Sequence, residues 1–298
     1  MTKLEERVGK LSRGVLVQND MSQKEKQKIL DEITPAVVQG LEATDIVRHS
    51  NEVYSATAHE YEKNPHTKEI VDELLQFMDM LPLGARVLDV GCGVGRDSLF
   101  LSVEDEEYRR TYMGRLKDGL PTRDRIFVPK KTFEVTAIDN SLEMLMVARK
   151  KSDLLIEEGL LNLKTAPVFC VEDMHYINDP AFPGGYKNFD GVWSCTALFT
   201  CTPAQMLEPA MESVSKVLQS GGVFFVSYTN GGVSGQYDKL LASSTGRIKY
   251  FSHPNPEEII RLANRYKMTL KSQAYSNFEI QGKVIQENLF VSQFFRKT

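Results

Sequence analysis

The sequence has little that would place it in a membrane, outside the cell, or on nucleic acid as a general binder. No apolar run approaches the ~20 residues that a membrane-spanning helix needs. The first residues, Met-Thr-Lys-Leu-Glu-Glu-Arg, have no apolar stretch of the signal-peptide type, so a cytoplasmic protein is expected. Cysteine is sparse, with four in 298 residues: Cys92, Cys170, Cys195 and Cys201. None forms C-x-x-C and none has histidine at ligand spacing, which argues for reduced thiols and against a disulfide scaffold or a zinc site. No metal site is expected. The net charge of −4 excludes a strongly basic surface and leaves room for a local basic patch. Internal repeats and low-complexity segments are also missing.

What is present is an ordinary soluble composition, 42% hydrophobic and 26% charged, long enough for one α/β core with additions. Within it, Val87-Leu88-Asp89-Val90-Gly91-Cys92-Gly93-Val94-Gly95-Arg96-Asp97-Ser98 is the most informative run. Val87, Leu88 and Val90 read as a parallel strand covered on both faces. Gly91, Gly93 and Gly95 allow a sharp turn with a ligand lying against bare backbone. Asp97 or Ser98 is placed to cap the helix that follows. The dinucleotide fingerprint G-x-G-x-x-G needs a third glycine where this chain has Arg96. The spacing G-x-G-x-G, with Asp89 two residues ahead, suits a nucleoside ligand without pyrophosphate. The amino-acid end of such a ligand needs an acidic and an amide-lined contact.

This run resembles the first motif of class I S-adenosylmethionine-dependent methyltransferases. A dinucleotide enzyme and an ordinary βα turn are the alternatives. The resemblance covers about residues 53–103 and 132–297. It implies S-adenosyl-L-methionine as cofactor, no membrane partner, and a small-molecule acceptor. The expected fold is α/β, a Rossmann-like doubly wound, mostly parallel seven-stranded sheet with an antiparallel C-terminal strand, plus an N-terminal helical extension. The pattern beyond the glycine run agrees, with alternating apolar runs and helical periods implying βα units. Strands read at about 86–90, 133–138, 165–171, 189–194 and 222–228. Helices read at about 96–103, 141–158, 203–219 and 256–266. Stretches 268–275 and 288–295 form a closing hairpin.

Residues 1–50 read as an extension to a methyltransferase domain at 51–298. In the extension, Ser22-Gln23-Lys24-Glu25 has the form of a capping box, and Pro35 should interrupt the helix it starts. Helices follow at about 36–46, 53–61 and 68–80. An insertion at about Glu104–Lys131 opens acidic and turns basic (Arg109, Arg110, Arg115, Lys117, Arg123, Arg125, Lys130, Lys131). It is either a solvated excursion or a grip for a partner.

Further site residues lie at strand ends. Asp139 can accept both ribose hydroxyls, or simply cap a helix. Asn140 and Ser141 follow at the rim, with Ser141 capping and Met144 covering the adenine. At the next strand end, Glu172 and Asp173 are acidic, Asp173 is placed for the adenine amino group, and Met174 offers a backbone N–H. His175 reads better as a surface or packing residue than as a base. Ser194, next to a core Trp193, is placed to line the donor's methionine arm. With the glycine run these give a donor set of Asp89, Gly91, Cys92, Gly93, Gly95, Arg96, Asp139, Asn140, Ser141, Met144, Glu172, Asp173, Met174 and Ser194. Tyr54 and Tyr61, in a segment that resembles the family's lid, are assigned to the cationic sulfur of the donor. Phe199, Tyr228 and Arg247 are candidates for the acceptor side. Where one branch of the family carries histidine after the fourth strand, this chain has Thr200, so no general base declares itself. Two other readings stay open: a methyltransferase for RNA or protein that uses the basic insertion, and a donor-binding regulator without catalysis.

Overall fold

A computed structural model describes residues 1–12, 16, 21–63, 71–104, 109, 131–177, 188–230, 237–242, 247–280 and 283–298. Its centre is a seven-stranded sheet. In chain order the strands are β1 (Arg86–Val90), β2 (Glu134–Asp139), β3 (Val168–Val171), β4 (Phe189–Cys195), β5 (Leu218–Thr229), then, after two short strands named below, β8 (Met268–Ile280) and β9 (Lys283–Lys297). The spatial order is β3-β2-β1-β4-β5-β9-β8. Only β9 runs against its neighbours, pairing antiparallel with both β5 and β8. The order reverses between β1 and β4, so the crevice beyond their carboxyl ends is the switch point where such sheets bind ligands.

Among the described residues, five helices cover the sheet: α5 (Val71–Met80), α6 (Arg96–Ser102), α7 (Leu142–Glu157), α8 (Leu207–Val217) and α9 (Pro256–Arg265). Successive residues of a strand face opposite sides, so Phe224 and Phe225 feed different cores. Phe225 stacks on Trp193 with ring centroids 3.9 Å apart and meets Phe294 at 4.8 Å. Phe224 stacks on Phe295 on the other face. Each such ring pair adds about 0.5–1.5 kcal/mol beyond its area burial.

The N-terminal helices are α1 (Lys3–Leu11), α2 (Gln23–Gln39), α3 (Ala43–Ala56) and α4 (Ala58–Lys63). The expected capping box at α2 is present: Ser22 N–H donates to Glu25 Oε2 at 2.9 Å, and Glu25 N–H donates to Ser22 Oγ at 3.3 Å. Pro35 does not interrupt α2, which runs through it. Pro35 and Asp31 both lie on the exposed face, so the carbonyl that loses its partner is open to water. Helices expected at 36–46 and 53–61 are likewise replaced by α3 and α4, broken at Thr57.

Two short strands, β6 (Asp238–Ala242) and β7 (Ile248–Ser252), pair into a separate antiparallel ribbon. The sequence pattern did not reveal them as strands. They pack on α1–α3 in a third core of Leu4, Val8, Leu30, Val37, Ile46, Leu240 and Tyr250. Gln27 holds the ribbon's edge, donating to Leu240 O and accepting from Ala242 N–H. This cap layer therefore joins the chain's start to the segment after β5. The boundary expected at residue 50 falls inside α3.

One buried histidine ties the cap together. His49 Nε2 lies 2.7 Å from Ile248 O and must donate to it; Nδ1 then accepts from Thr2 Oγ1 at 2.8 Å. Burial lowers its pKa, opposed by the Ile248 carbonyl, Glu5 and Glu52, and reinforced by Arg247. A depressed folded-state pKa means that the unfolded chain takes up the proton first. Stability from this site is therefore full above about pH 6.5 and lost as pH falls below it. Urea unfolding at pH 8 and pH 5.5 should show that loss, and His49→Gln should flatten it.

Candidate active site

The crevice begins where β1 stops. Gly91, Gly93 and Gly95 all have left-handed backbones, at φ +71°, +53° and +76°. Gly91 and Cys92 N–H both donate to Ile138 O, tying the turn to the end of β2. A Cβ on Gly91 would stand 2.3 Å from the Ala197 Cβ, whereas one on Gly93 would meet nothing within 4 Å. The first glycine is thus needed for chain packing, and the second leaves open space beside bare backbone. Gly95 starts α6, so Asp97 and Ser98 lie inside the helix and do not cap it.

Asp139 is locked at the tip of β2. Its Oδ2 accepts from Gly93 N–H at 2.9 Å and its Oδ1 from Ser141 N–H at 2.8 Å. Burial raises its pKa, and those two donors pull it back. Each carboxylate oxygen keeps a lone pair for another donor. Ser141 caps α7 through Met144 N–H, as expected, and accepts from Ser55 Oγ of α3 at 2.8 Å.

Behind the turn lies a buried acidic cluster. Asp89 accepts from Ser98 Oγ at 2.5 Å. Its pKa is pushed up to about 8, by burial first and then by Asp97, with Ser98 and Arg96 opposing. Arg96 pairs with Asp97 at 2.5 and 2.8 Å and donates to Cys195 Sγ. Asp97 also accepts from Trp193 Nε1 at 2.9 Å. Arg96 therefore takes the place of a third glycine by bracing the buried carboxylate of its own helix. Burial raises the Cys92 thiol, helped by Asp89 and Asp139.

At the end of β3, Glu172 N–H donates to Asp139 O, and the half-buried Glu172, Asp173 and Met174 line the edge. Met174 Sδ would lie 4.0 Å from a Cβ on Gly91. Asp173 accepts from the His175 ring at 2.7 Å and from His175 N–H at 2.8 Å. Burial would raise the Asp173 pKa, but His175 and Asn140 together bring it below its usual value. His175 Nε2 reaches Thr202 Oγ1 at 2.8 Å and its ring is buried, which bears out a packing histidine.

Five candidates lie elsewhere. Ser194 is fully buried, donating to Val90 O and accepting from Leu198 N–H, so its hydroxyl braces β1 against β4. Met144 is buried beneath the crevice. Phe199 and Tyr228 pack edge to face at 6.0 Å in the core, where Tyr228 donates to Gln293 Oε1. Their aromatic character in apolar runs reflects core packing, not acceptor contact. Arg247 is exposed at the edge of the cap.

Tyr54 and Tyr61 do meet over the strand tips, with ring centroids 5.6 Å apart. Cys201 S–H donates to Tyr54 Oη at 3.6 Å. Lys249 Nζ of β7 sits over both rings, which sequence reasoning missed. Its only signal was an alternating Ile-Lys-Tyr-Phe strand. Also unforeseen is Thr196, a non-glycine residue at φ +50° just past β4. Its N–H is shared by Ser227 O and Oγ, which hold a conformation costing about 1–2 kcal/mol. No group of three potential metal ligands occurs among the described residues.

Residues 125–226 match the model of a methyltransferase domain family. That match starts beyond the glycine turn. Among curated proteins none matches the chain. Solved structures share the fold. The Burkholderia thailandensis 1,6-didemethyltoxoflavin-N1-methyltransferase, with 1,6-didemethyltoxoflavin and S-adenosylhomocysteine bound, is 15% identical with a TM-score of 0.52, over 87% of this chain and 91% of that one. A SAM-dependent methyltransferase from Methanosarcina mazei is 16% identical with a TM-score of 0.51, over 74% and 95%. The [4+2]-cyclase SpnF is 16% identical with a TM-score of 0.50, over 77% and 81%. The chain thus shares the fold and sheet order of these structures, and its residues 125–226 match a methyltransferase domain family.

Proposed function

We propose that this chain binds S-adenosylmethionine across the tips of β1, β2 and β3 and transfers its methyl group to an oxygen, nitrogen or sulfur atom of a small molecule. The observation that carries this is the Asp139 carboxylate, clamped by Gly93 and Ser141 N–H beside the open face of Gly93. A fixed carboxylate next to bare backbone fits a ribose diol and a flat nucleoside. Asp139 takes the ribose hydroxyls; Asp173 and the backbone of Met174 take the adenine edge, with Glu172 and Asn140 at the rim. The Gly91–Gly95 bend, with Cys92 in it and Asp89 and Arg96 behind it, holds the amino-acid end.

The sulfonium donor supplies an activated methyl whose leaving group is a neutral sulfide. The protein's own work is alignment, worth far more than acid catalysis here, and exclusion of water. Ser55 and Tyr54 of α3 close over the strand tips and provide that exclusion. A small acceptor is favoured because the cap layer roofs the crevice. The basic insertion, on which a macromolecular substrate would depend, lies largely outside the described residues. Two of its cations are spent on the chain itself: Arg109 donates to Phe100 O, Leu101 O and Lys131 O, and Lys131 to Met78 O and Leu81 O.

Calorimetry tests the reading: the protein should bind S-adenosylmethionine, and a pool of small metabolites should then consume it. No binding refutes it. Binding without consumption by any acceptor leaves a donor-binding regulator, since fold does not name chemistry.

A further inference from the structure

Lys249 is a half-buried cation. Its Nζ lies 5.6 Å from the ring centroid of Tyr54 and 5.2 Å from that of Tyr61, and among the described residues no acid pairs with it. Tyr54 and Tyr61 come from the end of α3 and from α4, and Cys201 from the turn after β4. β7 is tied to that same turn, since Ser252 N–H donates to Thr200 O at 2.8 Å. The ammonium therefore stands where lid, ribbon and strand tips converge. The hydroxyl of Thr200, next to Cys201 in the chain, is buried with no partner.

Burial penalises the charged lysine and lowers its pKa, with Cys201 and Glu60 opposing. Two ring faces offset only part of that penalty. Glu60 acts on the ammonium without pairing with it, so among the described residues the group has room for a further anion. A cationic sulfonium would have to share these rings with the ammonium, which favours the other reactant there.

We propose that Lys249 determines acceptor specificity, and that the acceptor is a small aromatic acid whose carboxylate pairs with the Lys249 ammonium against the Tyr54–Tyr61–Cys201 wall. This rests on the reading of the strand tips as the donor site. The carboxylate of the donor itself shares this chemistry, so the test separates the two.

Protein loaded with S-adenosylhomocysteine is titrated with benzoate and, separately, with benzamide. Benzoate should bind, and benzamide roughly tenfold more weakly or not at all, a difference of about 1.4 kcal/mol. Lys249→Gln should cost benzoate at least roughly tenfold, and Lys249→Arg, which keeps the charge, no more than roughly threefold. Affinity for S-adenosylhomocysteine should be the same in all three proteins. Absence of benzoate binding, equal binding of benzamide, or indifference to Lys249→Gln overturns the proposal. A loss of S-adenosylhomocysteine affinity in Lys249→Gln assigns the cation to the donor and overturns it too. Failure of the wild type to bind S-adenosylhomocysteine would instead refute the donor site.

Discussion

Asp139→Ala is expected to weaken S-adenosylmethionine binding more than about a hundredfold, or about 3 kcal/mol, because two charge-assisted hydrogen bonds are worth about 1.5–3 kcal/mol each. The loss has a second source. Gly93 and Ser141 N–H lose their acceptor, so the glycine bend and the start of α7 lose the brace between them. Asp139→Asn separates the two: an amide oxygen can still hold one of these donors, but the charge is gone. It should fold as the wild type does and still lose at least about tenfold in donor affinity. Calorimetry gives the affinity and urea unfolding the stability. Unchanged donor binding in both variants would remove Asp139 from the site, and with it the proposed placement of the ribose.

Gly91→Ala and Gly93→Ala should fail in different ways, although two residues apart on one turn. Both carry the left-handed backbone that costs a non-glycine residue about 1–2 kcal/mol. Only at Gly91 does the new methyl collide, 2.3 Å from the Ala197 Cβ. Overpacking adds about 1–3 kcal/mol, so Gly91→Ala should lose about 2–5 kcal/mol of stability. Gly93→Ala should lose only the backbone part. Its methyl points into the open space that the donor is proposed to fill, so donor affinity should fall by at least about tenfold while the protein stays folded. If Gly93→Ala binds the donor like the wild type, the nucleoside does not lie against that backbone. If Gly91→Ala is as stable as the wild type, the close approach of β1 and the β4 turn is not a constraint.

Much of this was written in short runs. The strand from Arg86 to Val90 and the three glycines were legible because a buried parallel strand and a left-handed turn each demand particular residue types within a dozen positions. Ser22 and Glu25 announced their capping box for the same reason. The pattern Thr2-Lys3-Leu4-Glu5 forms the same box and went unnoticed, although Thr2 accepts from Glu5 N–H at 3.1 Å. Core aromatics were less legible. Phe199 sits just past β4 and Tyr228 near the end of β5, where acceptor residues are sought, and nothing local distinguishes a ring facing the crevice from one facing the core.

The sequence by itself determined the kind of sheet, the place of its ligand crevice and the acids around it, because these depend on period, on glycine and on strand ends. The tertiary structure alone decided what roofs that crevice. It joined α1–α3 to a ribbon some two hundred residues away and brought Lys249 over Tyr54 and Tyr61. Contacts between segments so far apart leave no periodic trace in either one. They exist only because each segment has an apolar face that the other can bury.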